Sequence, residues 1–230
     1  MYTLTVIVPF YNEESYLEAS IQRLIDSKVA DYIILVNDSS TDSSEKIANG
    51  IARKHKNVNY FSTSKNLGKG GAISFVKEYI TSSHIAIHDA DLEYNPLDLI
   101  KLRELSIKNT EALIIGSRFI ENIVRFNRYK MAFFANKLLS MFFSILNHLR
   151  VTDIATCYKL FPNSFFQKIN IQENGFAFEV EIFSKFLKYN NLVFEVPITY
   201  NGRSFEEGKK INYKDGFRYV YTIIRYKFFT

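Results

Sequence analysis

The stretch Thr3–Glu14 reads TLTVIVPFYNEE and sets the pattern for the first half of the chain. A run of apolar, largely β-branched residues ends at Pro9, a polar loop follows, and a helical pattern begins at Glu13. The sequence therefore predicts a strand over Thr3–Val8 and a helix over Glu13–Ser27. A near-continuous apolar run of this kind is typical of a parallel strand that is covered on both faces.

The same order of strand, polar loop and helix recurs as far as Arg118. The further strand candidates are Tyr32–Val36, Val58–Ser62, His84–His88 and Ala112–Gly116, and the further helix candidates are Asp42–His55, Gly70–Thr81 and Pro96–Ile107. This alternation predicts an α/β fold with a doubly wound, mostly parallel sheet and helices on both faces. Ligands of such sheets bind at the carboxyl ends of the strands.

Composition excludes several other classes of protein. The chain has 230 residues, of which 47% are hydrophobic and 23% charged, so it can bury a core and is not expected to be disordered. Its one cysteine, Cys157, excludes a disulfide framework and a cysteine-rich zinc site, and fits a reducing compartment. The apolar N-terminus lacks a basic region and does not resemble a signal peptide. Residues 131–149 carry too many polar side chains for a membrane span.

The formal charge of +5 is unevenly distributed. Residues 1–117 hold 12 basic and 15 acidic side chains, residues 118–150 hold 6 and 1, and residues 151–230 hold 11 and 8. A mildly acidic first part and a basic second part indicate two different tasks.

Acidic residues are concentrated after the fourth strand candidate, in Asp89-Ala90-Asp91-Leu92-Glu93. Two carboxylates two residues apart at a strand end can share a hard divalent cation, and such a cation usually also contacts substrate phosphates. Asp89 and Asp91 are the first ligand candidates and Glu93 is a third. The alternative is a solvated acidic turn. His88 points away from this loop by strand alternation, which favours a packed role over a catalytic one.

The segment Asn66–Gly71 is rich in glycine and opens a helix, so it is a candidate phosphate-binding loop. It lacks the spacing of a Walker A loop. Lys69 either contacts a phosphate or is solvated.

These motifs together resemble glycosyltransferase family 2 on a GT-A fold, and most of all its dolichyl- or polyprenyl-phosphate sugar synthases, the dolichol-phosphate mannosyltransferase-like group. The order and spacing of the motifs make the resemblance specific. The matching segments are Val6–Glu14, Val36–Asp42, Asn66–Ala72, Asp89–Glu93, Gly116–Phe119, Thr152–Asp153, Thr156–Phe161, Phe178–Ile182 and Gly202–Ile211.

The resemblance implies an inverting transferase that moves a hexose from a GDP- or UDP-sugar to a polyprenyl phosphate, with Mg²⁺ or Mn²⁺ as cofactor. Metal ligands would be Asp89 and Asp91, with Glu93 as a possible third. The implied nucleotide-sugar-binding residues are Pro9, Tyr11, Glu13, Asp38, Lys69, Asp89, Ala90, Asp91 and Arg118.

The acceptor decides which other side chains are needed. A hydroxyl acceptor needs a general base, for which Asp153 is the candidate. A lipid phosphate is already anionic and needs positive charge, which Arg203, Lys209 and Lys210 could supply. In that case Asp153 would only orient basic groups. The catalytic candidates are thus Asp91, Asp153, Arg203 and Lys209.

The predicted domain is residues 1–211, with a nucleotide-binding half (1–118) and an acceptor half (119–211). Within the second half, residues 127–149 form an amphipathic helix with an apolar arc of roughly 200°. That arc holds Leu138, Met141, Phe142, Ile145 and Leu149, widened by Leu139, Phe143 and Leu146; the polar face holds Lys137, Ser140, Ser144, Asn147 and His148.

A second amphipathic helix is expected within residues 212–230, from Phe217 to Phe229. Both helices have the composition of interfacial helices on an anionic membrane, which predicts a peripheral enzyme at the cytoplasmic face. Packing into the core or into a homodimer interface is the alternative.

Other activities remain open at this point. A glycan hydroxyl could be the acceptor. A nucleotidyltransferase also combines an α/β sheet with metal carboxylates, but it usually has a Gly-rich basic loop where this chain has Tyr11–Glu14. A nucleic-acid-binding module would explain the positive charge but not the acidic strand ends, so no nucleic-acid partner is expected.

Overall fold

The computed structural model describes residues 1–120, 125–126, 130–203 and 213–229. Its main element is a seven-stranded sheet. The strands of the described residues are β1 (Leu4–Phe10), β2 (Tyr32–Asn37), β3 (Val58–Ser62), β4 (His84–Ile87), β5 (Leu113–Ser117), β6 (Arg125–Phe126), β7 (Lys159–Pro162), β8 (Val193–Pro197) and β9 (Tyr200–Asn201).

The sheet order is β3-β2-β1-β4-β7-β5-β8, and all neighbours are parallel except β7, which is antiparallel to both β4 and β5. β6 and β9 form a separate parallel pair. The prediction of a mostly parallel α/β sheet is therefore confirmed. β1, an interior strand between β2 and β4, is buried along its whole length, as its continuous apolar run predicted.

Eight α-helices lie in the described part of the chain. They are α1 (Leu17–Asp26), α2 (Ser44–Lys54), α3 (Gly68–Phe75), α4 (Asp98–Lys108), α5 (Lys130–Asn147), α6 (Asn163–Lys168), α7 (Phe178–Tyr189) and α8 (Tyr213–Phe228). The helix predicted over Gly70–Thr81 is wrong in its bounds, because α3 ends at Phe75 and a short 3₁₀ turn follows over Lys77–Tyr79. No helix among the described residues has the length and apolarity that a membrane span requires.

The predicted face of α5 needs a correction. Ser140 was assigned to the polar side but is buried, and its hydroxyl accepts the Ile154 N–H at 3.2 Å. Phe143 is fully buried, whereas Leu138 and Met141 are exposed. The buried side thus combines serine with aromatic residues, and the apolar arc is divided between core and surface. Residues 127–129 of the predicted helix lie outside the described residues.

The second predicted helix, α8, is amphipathic in a similar sense. Tyr219 and Ile223 are buried against the rest of the molecule, and Phe217, Tyr221 and Phe228 are exposed. Together with Phe134, Leu138, Met141 and Ile145 of α5, these three residues are the most exposed apolar side chains described on the two helices, which contact each other. We call these seven side chains the α5–α8 apolar face.

Candidate active site

A cleft of about 210 Å³ opens at the carboxyl ends of β1, β2 and β4. The sheet topology brings these ends together, because the three strands are parallel neighbours. Seven side chains predicted to bind the nucleotide-sugar line it: Pro9, Tyr11, Glu13, Asp38, Lys69, Asp89 and Ala90. Phe10, Asn66, Gly68 and Ala72 also line it, and so do Gly175 and Phe176, which no sequence motif had indicated.

Asp38 lies at the end of β2 and organises the start of α3. Its carboxylate accepts the Leu67 and Gly68 backbone N–H groups, both at 2.7 Å, and also the Thr63 hydroxyl at 3.2 Å. These bonds satisfy donors that the first turn of a helix otherwise leaves free. Asp38 therefore shapes the cleft through α3 in addition to lining it.

The glycines of α3 serve a packing purpose that the sequence did not indicate. The Gly70 N–H donates to the Asn174 carbonyl at 2.7 Å, and the Gly71 N–H donates to the same oxygen. A side chain at Gly70 would overlap the Glu173 carbonyl oxygen. The prediction of a phosphate-binding loop is thus wrong for these N–H groups, because a backbone carbonyl already accepts them.

Lys69 lies inside a network of alternating charges. Its ammonium is 2.7 Å from Asp89 Oδ1 and 2.7 Å from Glu179 Oε1, and Glu179 Oε2 is 2.8 Å from the ammonium of the fully buried Lys159. Burial alone would raise the pKa of Asp89, but the adjacent Lys69 lowers it below its ordinary value. Asp89 is therefore paired with Lys69, and Lys69 lines the cleft with its charge already balanced by Asp89 and Glu179.

Asp91 is held in a different environment. Its Oδ1 accepts the Glu93 N–H at 3.0 Å, and its Oδ2 accepts Arg203 Nη2 at 2.8 Å. Burial raises the pKa of Asp91 to about 8, and the neighbouring carboxylates of Asp89 and Glu93 add to the rise, while Arg203 opposes it. The site therefore favours additional positive charge beside Asp91.

Glu93 is less available than the sequence indicated. Its Oε2 accepts the Tyr200 hydroxyl at 2.7 Å, and its Oε1 accepts the Arg203 backbone N–H at 2.6 Å. Glu93 thereby fixes the chain beyond β9. The Arg203 guanidinium also pairs with Glu13 at 3.0 Å, so Arg203 joins the ends of β1 and β4.

The donor set limits how a divalent ion can be held. Among the residues that the structure describes, no three His, Cys, Asp or Glu side chains are grouped to hold a metal ion. A hard cation commonly takes one or two carboxylates and completes its shell with substrate phosphates and water. Asp91 directly follows the cleft residue Ala90 and is a candidate for that kind of site, although Arg203 now contacts the Oδ2 atom that a metal ion would take. Asp89 is paired with Lys69, and Glu93 is bonded to Tyr200 and the Arg203 backbone.

Arg118 and Asp153 form a buried pair outside the cleft lining. Asp153 is 0% exposed, and its carboxylate accepts Arg118 Nε at 2.7 Å, Nη2 at 2.8 Å and the backbone N–H at 3.1 Å. The Arg118 guanidinium lies 4.9 Å from the ring centroid of Tyr200. With both oxygens engaged by a permanent cation, Asp153 is placed to orient Arg118 rather than to accept a proton.

His88 is packed, as strand alternation predicted. It is fully buried between the Ser20 hydroxyl at 3.3 Å and the Tyr158 hydroxyl at 2.9 Å. Lys209 and Lys210, the other two predicted phosphate ligands, lie outside the described residues.

A mostly parallel sheet whose strand ends gather carboxylates around one cleft, with Arg118 and Arg203 close by, is the arrangement of a GT-A glycosyltransferase. The chain belongs to glycosyltransferase family 2, since the model of "Glycosyl transferase family 2" matches residues 5–169.

Relatives with assigned activities support the same family. The chain is 26% identical over 216 residues to a dolichyl-phosphate beta-glucosyltransferase of Trichomonas vaginalis, covering 86% of this chain and 63% of that relative. It is 28% identical over 218 residues to an undecaprenyl-phosphate mannosyltransferase of Micrococcus luteus, covering 88% and 85%. The chain therefore spans slightly less than two thirds of the first relative.

Solved structures share the fold. Glucosyl-3-phosphoglycerate synthase from Mycobacterium tuberculosis, solved with Mn²⁺, uridine diphosphate and phosphoglyceric acid, superposes with a TM-score of 0.75 at 13% identity, covering 100% of this chain and 80% of that one. The same enzyme with Mg²⁺ and uridine diphosphate gives a TM-score of 0.72 at 14% identity, covering 98% and 79%. At this identity the likeness concerns the fold alone.

Proposed function

We propose that this glycosyltransferase moves a hexose from a GDP- or UDP-sugar to a polyprenyl phosphate at a membrane surface, with inversion at the anomeric carbon and with Mg²⁺ or Mn²⁺. The names of the two relatives, which state dolichyl and undecaprenyl phosphate, support this acceptor class.

The donor would lie in the cleft. Tyr11 and Pro9 offer apolar surface to a base, and Glu13 offers hydrogen-bond acceptors for a ribose. The diphosphate would then point towards Asp91, where a bound divalent ion would neutralise the leaving group. Arg203, which contacts Asp91 and Glu13, is within the same charge cluster and would add a second positive group beside the diphosphate.

The Arg118–Asp153 pair is the observation that carries the choice of acceptor. A hydroxyl acceptor would need a free base, and the base candidate Asp153 is buried with both oxygens on Arg118. A phosphate oxygen needs no deprotonation and only has to be aimed at the anomeric carbon. Arg118 held rigidly by Asp153, with Arg203, Lys209 and Lys210, would supply that positioning charge.

In the proposed reaction the acceptor phosphate oxygen forms a bond to the anomeric carbon as the bond to the nucleoside diphosphate breaks. Attack from the face opposite the leaving group inverts the anomeric centre. The protein's contribution is to position two anions close together, which otherwise repel each other, and to balance the charge that develops on the leaving diphosphate.

The α5–α8 apolar face supports action at a membrane surface. An exposed apolar patch rimmed by basic side chains is typical of a helix that lies in the interface of an anionic bilayer. Lys137 lies on α5 and Arg150 follows its end, and Arg225 and Lys227 lie on α8. Cys157 is a free, buried thiol, which fits the proposed cytoplasmic location.

Vesicle binding tests the membrane part separately. Leu138→Glu, at a position 60% exposed on the α5–α8 apolar face, should reduce sedimentation with phosphatidylglycerol vesicles. Leu192→Glu, at a position 49% exposed ahead of β8, is the matched control and should sediment like the wild type. Equal sedimentation of the two variants would contradict the assignment of this face, and a concentration-dependent dimer lost in Leu138→Glu would assign it to a homodimer interface instead.

Donor turnover tests the reaction. UDP- and GDP-sugars are incubated with Mg²⁺ or Mn²⁺, with and without undecaprenyl phosphate, and nucleoside diphosphate release is measured. We expect release that depends on both the lipid phosphate and the metal, and that is lost in Asp91→Asn but kept in the exposed control Asp26→Asn. Metal-dependent release by Asp91→Asn at the wild-type rate would contradict the site assignment.

A further inference from the structure

One wall of the cleft is formed by a segment that belongs to no helix or strand. Residues 172–176, which we call the wall segment, place Gly175 and Phe176 on the cleft. On the side of α3, the Asn174 carbonyl accepts the Gly70 N–H at 2.7 Å. The contact is so close that a Cβ at Gly68 would lie 2.5 Å from the Asn174 carbonyl oxygen. The position of the wall segment and the shape of the cleft therefore depend on each other.

The other side of the wall segment is held by α8. Glu173 is only 2% exposed, and its carboxylate accepts Arg218 Nε at 2.8 Å and Arg225 Nη1 at 3.2 Å. Arg225 Nη2 also donates to Gln172 Oε1 at 2.7 Å. Arg218 and Arg225 are seven residues apart, so they lie on the same side of the helix. We call Glu173, Arg218 and Arg225 the Glu173 cluster.

Backbone bonds transmit the position of this cluster to the cleft. The Gln172 and Glu173 N–H groups donate to the Glu181 carboxylate of α7 at 2.8 and 2.7 Å. Tyr226 of α8 donates its hydroxyl to the same carboxylate at 2.8 Å. The wall segment is thus fixed from α7 and α8 together, and only two residues separate the buried Glu173 from the cleft residue Phe176.

The buried Glu173 carboxylate depends on the positive charges of Arg218 and Arg225. A buried carboxylate that loses its cationic partners retains its desolvation cost, so the segment carrying it must move towards water. Arg218 and Arg225 are the cationic partners of Glu173 and keep part of their surface exposed. If α8 shifts, Glu173 has to follow it, and the carbonyl of Asn174 moves relative to α3.

We propose that Glu173 is a positioning residue for the donor: through Arg218 and Arg225 it couples the seating of α8 to the wall of the nucleotide-sugar cleft, and so sets donor affinity. The identity of the ligand rests on the proposed function. Because α8 also carries Phe217, Tyr221 and Phe228 of the α5–α8 apolar face, the coupling links the helix proposed to contact the membrane with the donor site.

Donor affinity and turnover together test the proposal. Glu173→Gln should weaken binding of the nucleoside diphosphate about tenfold and raise KM for the nucleotide-sugar by a similar factor, with kcat within about twofold of the wild type. The Arg218→Met/Arg225→Met variant should show the same change. The triple variant Glu173→Gln/Arg218→Met/Arg225→Met should bind the nucleotide no more weakly than either of these variants. The effects of substitutions that break the same contact are not additive. Lys46→Met, at an exposed position on α2, is the matched charge-removal control and should bind the nucleotide like the wild type.

Stability is separated from positioning by a charge-free variant. Glu173→Leu/Arg218→Met/Arg225→Met leaves no unpaired buried charge, and its melting temperature reports whether the fold is kept. A variant with a native melting temperature and weakened nucleotide binding supports the proposal. Wild-type affinity in Glu173→Gln, or a loss in kcat without a rise in KM, would overturn it. If the wild type itself bound no uridine or guanosine diphosphate, the proposed function would fail first and this coupling with it.

Discussion

The substitution Asp153→Asn tests the Arg118–Asp153 pair quantitatively. The carboxylate is fully buried and accepts three N–H groups of Arg118. Asparagine has the same shape but turns one acceptor oxygen into an NH₂ group that faces the guanidinium. The variant therefore leaves a buried cation without a counter-charge, and breaking such a pair costs about 3–5 kcal/mol.

That cost converts into a melting shift. For a chain of this size, 1 kcal/mol corresponds to roughly 2–4 °C, so Asp153→Asn should melt about 10 °C below the wild type in a calorimetric or fluorescence scan. The loss of orientation at Arg118 should also raise KM for the lipid phosphate more than it lowers kcat at saturating acceptor.

Two control variants show whether an unpaired buried charge causes the melting shift of Asp153→Asn. Arg118→Met/Asp153→Leu removes both charges and should recover most of the lost stability, because neither partner is left unpaired. Arg103→Met breaks a partly exposed pair with Asp31 and should cost under about 1 kcal/mol. A melting temperature of Asp153→Asn within 2 °C of the wild type would refute the account of the pair. A large fall in kcat with an unchanged acceptor KM would assign Asp153 a proton-transfer role instead.

Three other substitutions test separate parts of the structure. Gly70→Ala should lower the melting temperature and weaken nucleotide binding, since the new Cβ would overlap the wall segment. The control Gly50→Ala, with no atom within 4 Å of its Cβ, should stabilise α2 by about 0.5–1 kcal/mol. An unchanged melting temperature of Gly70→Ala would contradict the close approach. Arg203→Met should bind Mn²⁺ more tightly by electron paramagnetic resonance titration, because Arg203 lies 2.8 Å from Asp91 Oδ2 and competes with a cation there; weaker Mn²⁺ binding would mean that Arg203 assists the metal site. Burial lowers the pKa of His88 from 6.5 to about 4, so the folded state keeps the imidazole neutral and the stability of the fold should decline as the pH falls from about 6.5 towards 4. Urea unfolding at both ends of this range should show a smaller decline in His88→Gln than in the wild type. An equal decline in both would exclude His88 as the source.

The parallel part of the fold could be predicted because each of its strands is marked by a pattern of neighbouring residues in the sequence. Each strand of the first half is a short apolar run followed by a polar loop, as in β1 and β4, and chain order then implies where the strands end. The antiparallel insertion of β7 between β4 and β5 was beyond this reasoning. It depends on pairing between residues about 75 positions apart, and its first residue, Lys159, is a buried charge that interrupts the apolar pattern.

The site residues were found more readily than their roles. The sequence brought Glu13, Asp38 and Asp89 to one sheet edge, and the structure places them around one cleft. The partners that define their chemistry come from far along the chain: Glu179 beside Lys69, and the wall segment against the α3 glycines. A glycine needed for close backbone approach and a glycine needed for phosphate binding look the same in a sequence.

In the amphipathic helices, too, the sequence located the residues but not their partners. Ser140 and Ser144 were assigned to a solvent face by polarity, but Ser140 bonds the Ile154 N–H and Ser144 bonds the Val151 backbone. Their hydroxyls satisfy backbone groups of the segment that follows α5, which only the tertiary structure reveals.

The most direct test of the central claim is the fate of a labelled hexose. The enzyme is incubated with a radiolabelled UDP- or GDP-sugar, Mn²⁺ and undecaprenyl phosphate, the product is extracted into organic solvent, and its anomeric configuration is determined by nuclear magnetic resonance. The account predicts label in the organic phase, in a lipid-linked sugar phosphate of inverted configuration, for the wild type and not for Asp91→Asn. Label that is transferred only to a water-soluble glycan, or a lipid product with retained configuration, would contradict it.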